Sequence, residues 1–328
     1  MTEDLLDAAA GRHGVLCARD AAAADVHPST LASLVRTGRI VRVRRGAYVL
    51  SGPWHAAMPD ARLALRTRAV LHARGVPGAA THQSALAVHA LPVHAVPTTV
   101  VDATGPVSRN RTEAGLRLHP LASAPTVVDV DGCPTVDVAT AVAQVLLRSG
   151  RTPGIVAADA ALRRGTSVDA LHAAVAALAS TTHAAGRAGR MLATADPASE
   201  SVGETLTRLL LRDQGWAVES QVRVADQGGH VVARVDLLVE GRVVVEFDGL
   251  VKYEGAQGRA ALAAEKRRED ALRALGYEVV RVVWSDLDRP GHVARSVRAA
   301  LARAAGRPAA PRSARGDLDG RACSRRTG

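Results

Sequence analysis

Lysine is almost absent from this chain. Of its 42 basic side chains only Lys252 and Lys266 are lysine, so nearly every positive charge is a guanidinium, which does not titrate in the ordinary pH range. Aromatic residues amount to 2% of the sequence and include one phenylalanine, so Val, Leu and Ala have to fill the cores. Cysteine is scarce too. Cys17, Cys133 and Cys323 lie far apart with no CxxC spacing, which argues against a disulfide framework and predicts reduced thiols in a cytosolic protein. No apolar run reaches the roughly 18–20 residues that a bilayer span needs. The first residues, MTEDLLDAAAG, are acidic where a signal peptide would be basic. A soluble, cytoplasmic protein is therefore expected. Neither a P-loop nor a dinucleotide-binding glycine fingerprint occurs.

What remains is a 328-residue chain that is 47% hydrophobic and carries a net charge of +10. That length predicts about two or three domains, and the charge favours polyanionic partners. Residues 1–55 read as three helices and a β-ribbon, the order of a winged helix-turn-helix. Asp20 and Ser29 are candidate N-caps, with Pro28 as the turn signal between the second and third helices. Leu31, Leu34 and Val35 give the third helix an apolar face, and Gly38 ends it. Ile40–Leu50 then alternates like a hairpin with Gly46 near its tip. Between Asp25 and Asp60 there is no acidic residue, whereas Arg36, Arg39, Arg42, Arg44 and Arg45 all fall there. Their place on the recognition helix and wing predicts a DNA-binding surface; the competing reading is a solvated charged face.

Residues 56–195 alternate helical and strand-like patterns, an α/β middle domain whose chemistry is silent. Helices are expected over 61–74, 81–89, 136–147 and 154–163, strands over 98–102 and 127–130, and a linker over 181–197. His82, His89 and His94 follow no metal-ligand spacing. Residues 199–300 give helix, strand, strand, strand, helix, strand: 199–213, 219–224, the pair around Glu240-Gly241, 260–275 and 277–284. The tail from Arg303 holds seven Arg and two Asp among Gly, Ala, Pro and Ser, and is expected to be disordered.

The pair of strands from Arg234 to Gly249 carries three carboxylates, Asp236, Glu246 and Asp248. Charges set among β-branched residues need a cation, and a divalent metal such as Mg²⁺ or Mn²⁺ takes oxygen ligands of this kind. Both lysines of the chain lie within twenty residues of Glu246. Loop length decides whether the acids meet. A two-residue turn at Glu240-Gly241 pairs position 236 with 245 and turns Asp236 away from Glu246, whereas a three-residue loop pairs 236 with 246.

Ser201-Val-Gly-Glu204, Val235-Asp236, Val245-Glu-Phe-Asp-Gly249, Glu265-Lys-Arg-Arg-Glu-Asp270 and Leu275-Gly-Tyr-Glu-Val-Val-Arg281, in that order, resemble the bacterial domains related to very-short-patch-repair endonucleases, with a PD-(D/E)XK core. The resemblance covers about a hundred residues. It implies a restriction-endonuclease-like α/β/α fold and a Mg²⁺- or Mn²⁺-dependent phosphodiesterase, with Asp236 and Glu246 as metal ligands and Glu204 supporting them. The usual motif would place lysine at position 248, where this chain has Asp248. Either a third carboxylate joins the metal site or the lysine has moved, to Lys252 by preference or to Lys266. Residues Gly11-Arg-His-Gly14 through Arg45-Gly-Ala-Tyr48 resemble the winged-helix domain of abortive-infection type IV antitoxins.

Two functions follow. The leading expectation is a DNA-binding protein that cleaves phosphodiesters through its C-terminal domain. The alternative is a transcriptional regulator or antitoxin, with a toxin as partner and a catalytically silent nuclease fold.

Overall fold

The computed structural model describes residues 2–75, 77–121, 126–226, 228–249 and 255–306, with side chains from 265 onward in the last segment. The chain divides into two compact units, Met1–Pro197 and Ala198–Gly328.

The first unit opens with α1 (Thr2–Ala10), β1 (Val15–Cys17), α2 (Ala18–Ala23), α3 (Pro28–Arg36), β2 (Ile40–Arg44) and β3 (Ala47–Leu50). The strands form an antiparallel sheet in the order β1-β3-β2, so the expected two-stranded ribbon gains a third strand from between the first two helices. Leu31 and Leu34 of α3 are buried with Leu5, Leu6, Leu16, Val26 and Ile40. The caps differ from expectation. Pro28 begins α3 at a position whose N–H has no helical partner in any case, and His27 caps it through Nδ1, 3.3 Å from the Ser29 N–H. Asp20 sits one turn inside α2 and reaches back to the N–H of Cys17 at 2.8 Å.

The chain continues through α4 (Ser51–Ala56), α5 (Pro59–Arg74), α6 (His82–Val88), β4 (Val101–Gly105), β5 (Arg111–Glu113), β6 (Leu116–Pro120), β7 (Val127–Val130), β8 (Cys133–Val136), α7 (Val138–Ser149), α8 (Arg151–Arg163), α9 (Val168–Leu178) and α10 (Thr182–Leu192). β4 pairs parallel with β6, β5 antiparallel with β6, and β7 with β8 as a hairpin. One apolar cluster joins Val15, Ala47 and Val49 of the first sheet to Ala69 and Val70 of α5 and to Val101, Ala103, Leu116 and Leu118. The stretch 181–197, expected as a linker, holds α10, which Thr181 caps by accepting from the Ala184 N–H. Gly186 and Gly189 lie within this helix, which buries Ala188 and Leu192.

The second unit contains α11 (Val202–Arg212), β9 (Val218–Ala225), β10 (Val231–Val239), β11 (Val243–Phe247), α12 (Gly255–Ala274), β12 (Glu278–Val282), α13 (Trp284–Leu287) and α14 (His292–Ala305). Its sheet runs β12-β11-β10-β9, with β11 and β12 parallel and the rest antiparallel. Leu237, Val239, Val243 and Val245 pack with Leu211 of α11 and Val293 and Val297 of α14. Leu238 and Val244 pack with Leu272 of α12 on the other side. The last helix extends past the expected start of the tail, because Arg303 is held by Glu278 at 2.9 Å; residues 307–328 lie outside the described residues.

Candidate nucleic-acid interface and carboxylate site

β10 and β11 pair Leu237 with Val245 and Val239 with Val243, which leaves a three-residue loop, Glu240-Gly241-Arg242. Glu240 and Gly241 both take positive φ, 51° and 63°, a conformation that costs glycine nothing. The next rung therefore sets Asp236 opposite Glu246. β12 places Arg281 beside Glu246, and β9 brings Gln221 opposite Asp236, between the pairs Val222–Val235 and Ser220–Leu237. One rung thus crosses the whole sheet as Arg281, Glu246, Asp236, Gln221. The side-chain alternation slips at this point, since Val235 packs with Leu272 and Leu237 packs with Leu211. Gln221, opposite the slip, has φ of 53°.

Each acid already has partners. Asp236 accepts from the Phe247 N–H at 2.9 Å, and Glu246 from Arg268 of α12 at 3.1 Å. Glu204 is buried and caps its own helix: it accepts from Glu200 N–H (2.9 Å), from Ser201 Oγ (2.8 Å) and from Gln221 Nε2 (2.9 Å). Asp248 lies 3.7 Å from Arg281, which also pairs with Glu265 and, at 3.0 Å, with Glu269. Burial raises the Glu246 carboxyl to about 7, with Asp236 and Asp248 pushing the same way against Arg268 and Arg281. Burial likewise raises Asp236 and Asp248.

Oxygen donors of this kind suit Mg²⁺ or Mn²⁺. The spacing is looser than a finished three-carboxylate site. Among the described residues, the groups with three ligand atoms within 4.8 Å of one another are Cys17, Asp20, His72 and His82, Asp102, His119. The positive charges beside the acids are arginines. Lys266 is exposed on α12, and Lys252 lies outside the described residues. Sequence reasoning missed Gln221, Arg268 and Arg281. Arg281 carried a usable signal, a charge in the apolar run Val279-Val-Arg-Val-Val283; Gln221 and Arg268 are recognisable only once register and helix packing are known.

In the first unit the arginine stripe divides. Arg39 forks onto Glu3 at 2.7 and 3.1 Å. Arg44 pairs with Glu113, and its Nε donates to the Ala114 carbonyl at 3.3 Å. Arg36, Arg42 and Arg45 are exposed and make no ion pair among the described residues, although Arg36 donates to Ser33 within α3. A polar cluster that the sequence did not disclose lies deeper. The fully buried Asp102 accepts from Gln83 (2.5 Å), His119 (2.7 Å) and Arg148 (2.6 Å). Burial pushes Asp102 up, but His119 and Arg148 overcome it and hold the carboxyl below its usual range. His82 stacks on His119 with ring centroids 4.4 Å apart, and burial lowers it to about 3.

No helix among the described residues is long and apolar enough to cross a membrane. No curated protein matches the chain. Residues 3–51, which take in nearly all of α1 and run to the end of β3, match the model of a family described as transcriptional regulator, AbiEi antitoxin.

Proposed function

We propose that the protein is a DNA-binding transcriptional regulator of the antitoxin class. The family match carries this reading, because it coincides with the helix–strand–helix–helix–strand–strand segment at the N-terminus. In this reading that segment is a winged helix, α3 enters the major groove, and the β2–β3 hairpin is the wing. Arg36 at the end of α3 and Arg42 and Arg45 on the hairpin meet phosphates, and the net charge of +10 steers the encounter. A toxin encoded alongside is the partner that this class implies. The test is fluorescence anisotropy with the DNA upstream of the protein's own gene against a scrambled duplex at fixed salt. Tighter binding to the upstream DNA, weakened by joint Arg36→Ala, Arg42→Ala and Arg45→Ala, supports the reading. Equal, weak binding to both duplexes refutes it.

The Arg281–Glu246–Asp236–Gln221 rung favours a second activity, phosphodiester hydrolysis by the C-terminal unit. In that reading Asp236 and Glu246 hold Mg²⁺ or Mn²⁺, with Asp248 at the edge; the bound ion supplies Lewis acidity and an acidified water. Gln221 orients Glu204 and Asp236, and Arg268 and Arg281 offset charge on the phosphate. Lys252 or Lys266 is the proposed proton-handling ammonium. Calorimetric titration of Mn²⁺ into wild type and Asp236→Ala decides the metal assignment, since equal affinity in both would remove it.

A further inference from the structure

Cys17 ends β1 and caps α2, Asp20 lies in the first turn of α2, and His72 comes from the last turn of α5. The thiol, a carboxylate oxygen and an imidazole nitrogen of these residues lie within 4.8 Å of one another. We propose that they form a binding site for a zinc-class divalent ion.

Asp20 Oδ2 is shared by the His72 Nε2 at 2.7 Å and the Cys17 N–H at 2.8 Å. Zinc bonds of about 2.0–2.3 Å in a tetrahedron set ligand atoms roughly 3.3–3.7 Å apart, so the trio needs sub-ångström to ångström adjustments. The charges suit the ion. A thiolate and a carboxylate cancel two positive charges, and the imidazole binds neutral. Thiolate and imidazole together select zinc over the hard cations Mg²⁺ and Ca²⁺. On binding, the S–H bond breaks, sulfur keeps the electron pair and gives it to the metal, and the thiol proton passes to solvent. The proton shared by His72 Nε2 and Asp20 Oδ2 leaves as well, and the neutral ring carries its remaining proton on Nδ1.

Access exists as well. The Cys17 side chain is buried, but those of Asp20 and His72 are 16% and 33% exposed. His72 also lines a cavity of about 960 Å³ together with Arg12, His13 and Arg68, so the imidazole member of the trio borders open space. Among the described residues the guanidinium paired with the carboxylate is that of Arg12, at 3.2 Å, and it is 46% exposed. Arg19 is occupied by the His72 carbonyl at 2.6 Å. The other candidate trio, His82, Asp102 and His119, is a poorer site despite the unpartnered Nδ1 of His82. Its carboxylate is already neutralised by Arg148 and Arg117 and bonded by Gln83, all of which a dication would have to displace. The proposed ion would tie β1 and α2 to α5 across more than fifty residues of sequence.

The experiment uses the full chain after treatment with a chelator, titrated with Co²⁺ as a visible stand-in and then with Zn²⁺ in competition. The expected result is a thiolate-to-cobalt charge-transfer band that zinc abolishes, together with a zinc-dependent rise in melting temperature. Cys17→Ser should lose the band. His72→Gln should weaken binding at least about 100-fold, since loss of a mere outer-shell partner commonly costs about 10–100-fold. A band that survives in Cys17→Ser, or that disappears in Cys133→Ser, overturns the proposal, as does wild-type protein that shows no band. Should Cys17→Ser fail to fold, the partly exposed His72 decides: unchanged affinity in His72→Gln overturns the site.

Discussion

At the scale of single residues, Glu246 is where electrostatics and folding oppose each other. Its carboxyl is raised from an ordinary value of 4.5 to about 7 in the folded chain. Below pH 4.5 it is protonated in both folded and unfolded chains, and its neutral form is fully compatible with the buried site. Between 4.5 and 7 the folded state holds a proton that the unfolded state has released, so stability falls as pH rises through this window. The side chain is 13% exposed, so the loss is on the order of 3 kcal/mol at most. Urea denaturation of wild type and Glu246→Gln at pH 5 and pH 8 checks this. The variant should be the more stable at pH 8 and should lose much of the pH dependence; parallel curves for the two proteins would count against the shift. The residue types at this site were legible in the sequence, because carboxylates among β-branched residues are conspicuous. Their partners were not, since Arg268 reaches Glu246 from 22 residues away along the chain and from another element.

At the scale of elements, the Glu240-Gly241-Arg242 loop sets the register and α11 sets the packing beneath it. The sequence allowed two loop lengths, and alternation alone could not choose between them. Gly203 shows a closer constraint. A Cβ there would come within 2.0 Å of the Phe247 ring, which also packs edge-on against Trp284 at 5.1 Å. Gly203→Ala should therefore destabilise the second unit by about 1–3 kcal/mol, read as a lower urea midpoint with far-ultraviolet circular dichroism retained below it. An unchanged midpoint would mean that the ring yields freely. The arginine stripe gives the matching expectation for the first unit. Removing Arg36, Arg42 and Arg45 should lessen the slope of log affinity against log salt by roughly 3, at about 0.9 per phosphate contact. Arg39→Ala and Arg44→Ala should change it little, because Glu3 and Glu113 already occupy those guanidinia. The sequence could not separate the two sets: Glu3 lies 36 residues before Arg39 and Glu113 lies 69 after Arg44.

At the scale of the whole molecule, the boundary after Pro197 separates the proposed DNA-binding function from the carboxylate site. A chain cut to residues 1–197 should unfold cooperatively and keep most of the DNA affinity of the full protein. A loss beyond about tenfold, or 1.4 kcal/mol, would mean that the second unit also holds DNA. The segment that matches a regulator family ends at residue 51, yet the inner face of its sheet, Val15, Ala47 and Val49, is completed by Ala69, Val70, Val101 and Leu116. A recombination event that moved residues 1–51 alone into another gene would deliver a sheet with one greasy side bare to water. Inheritance of this segment is thereby tied to inheritance of α5 and the strands behind it, or to a new neighbour that supplies the same apolar cover.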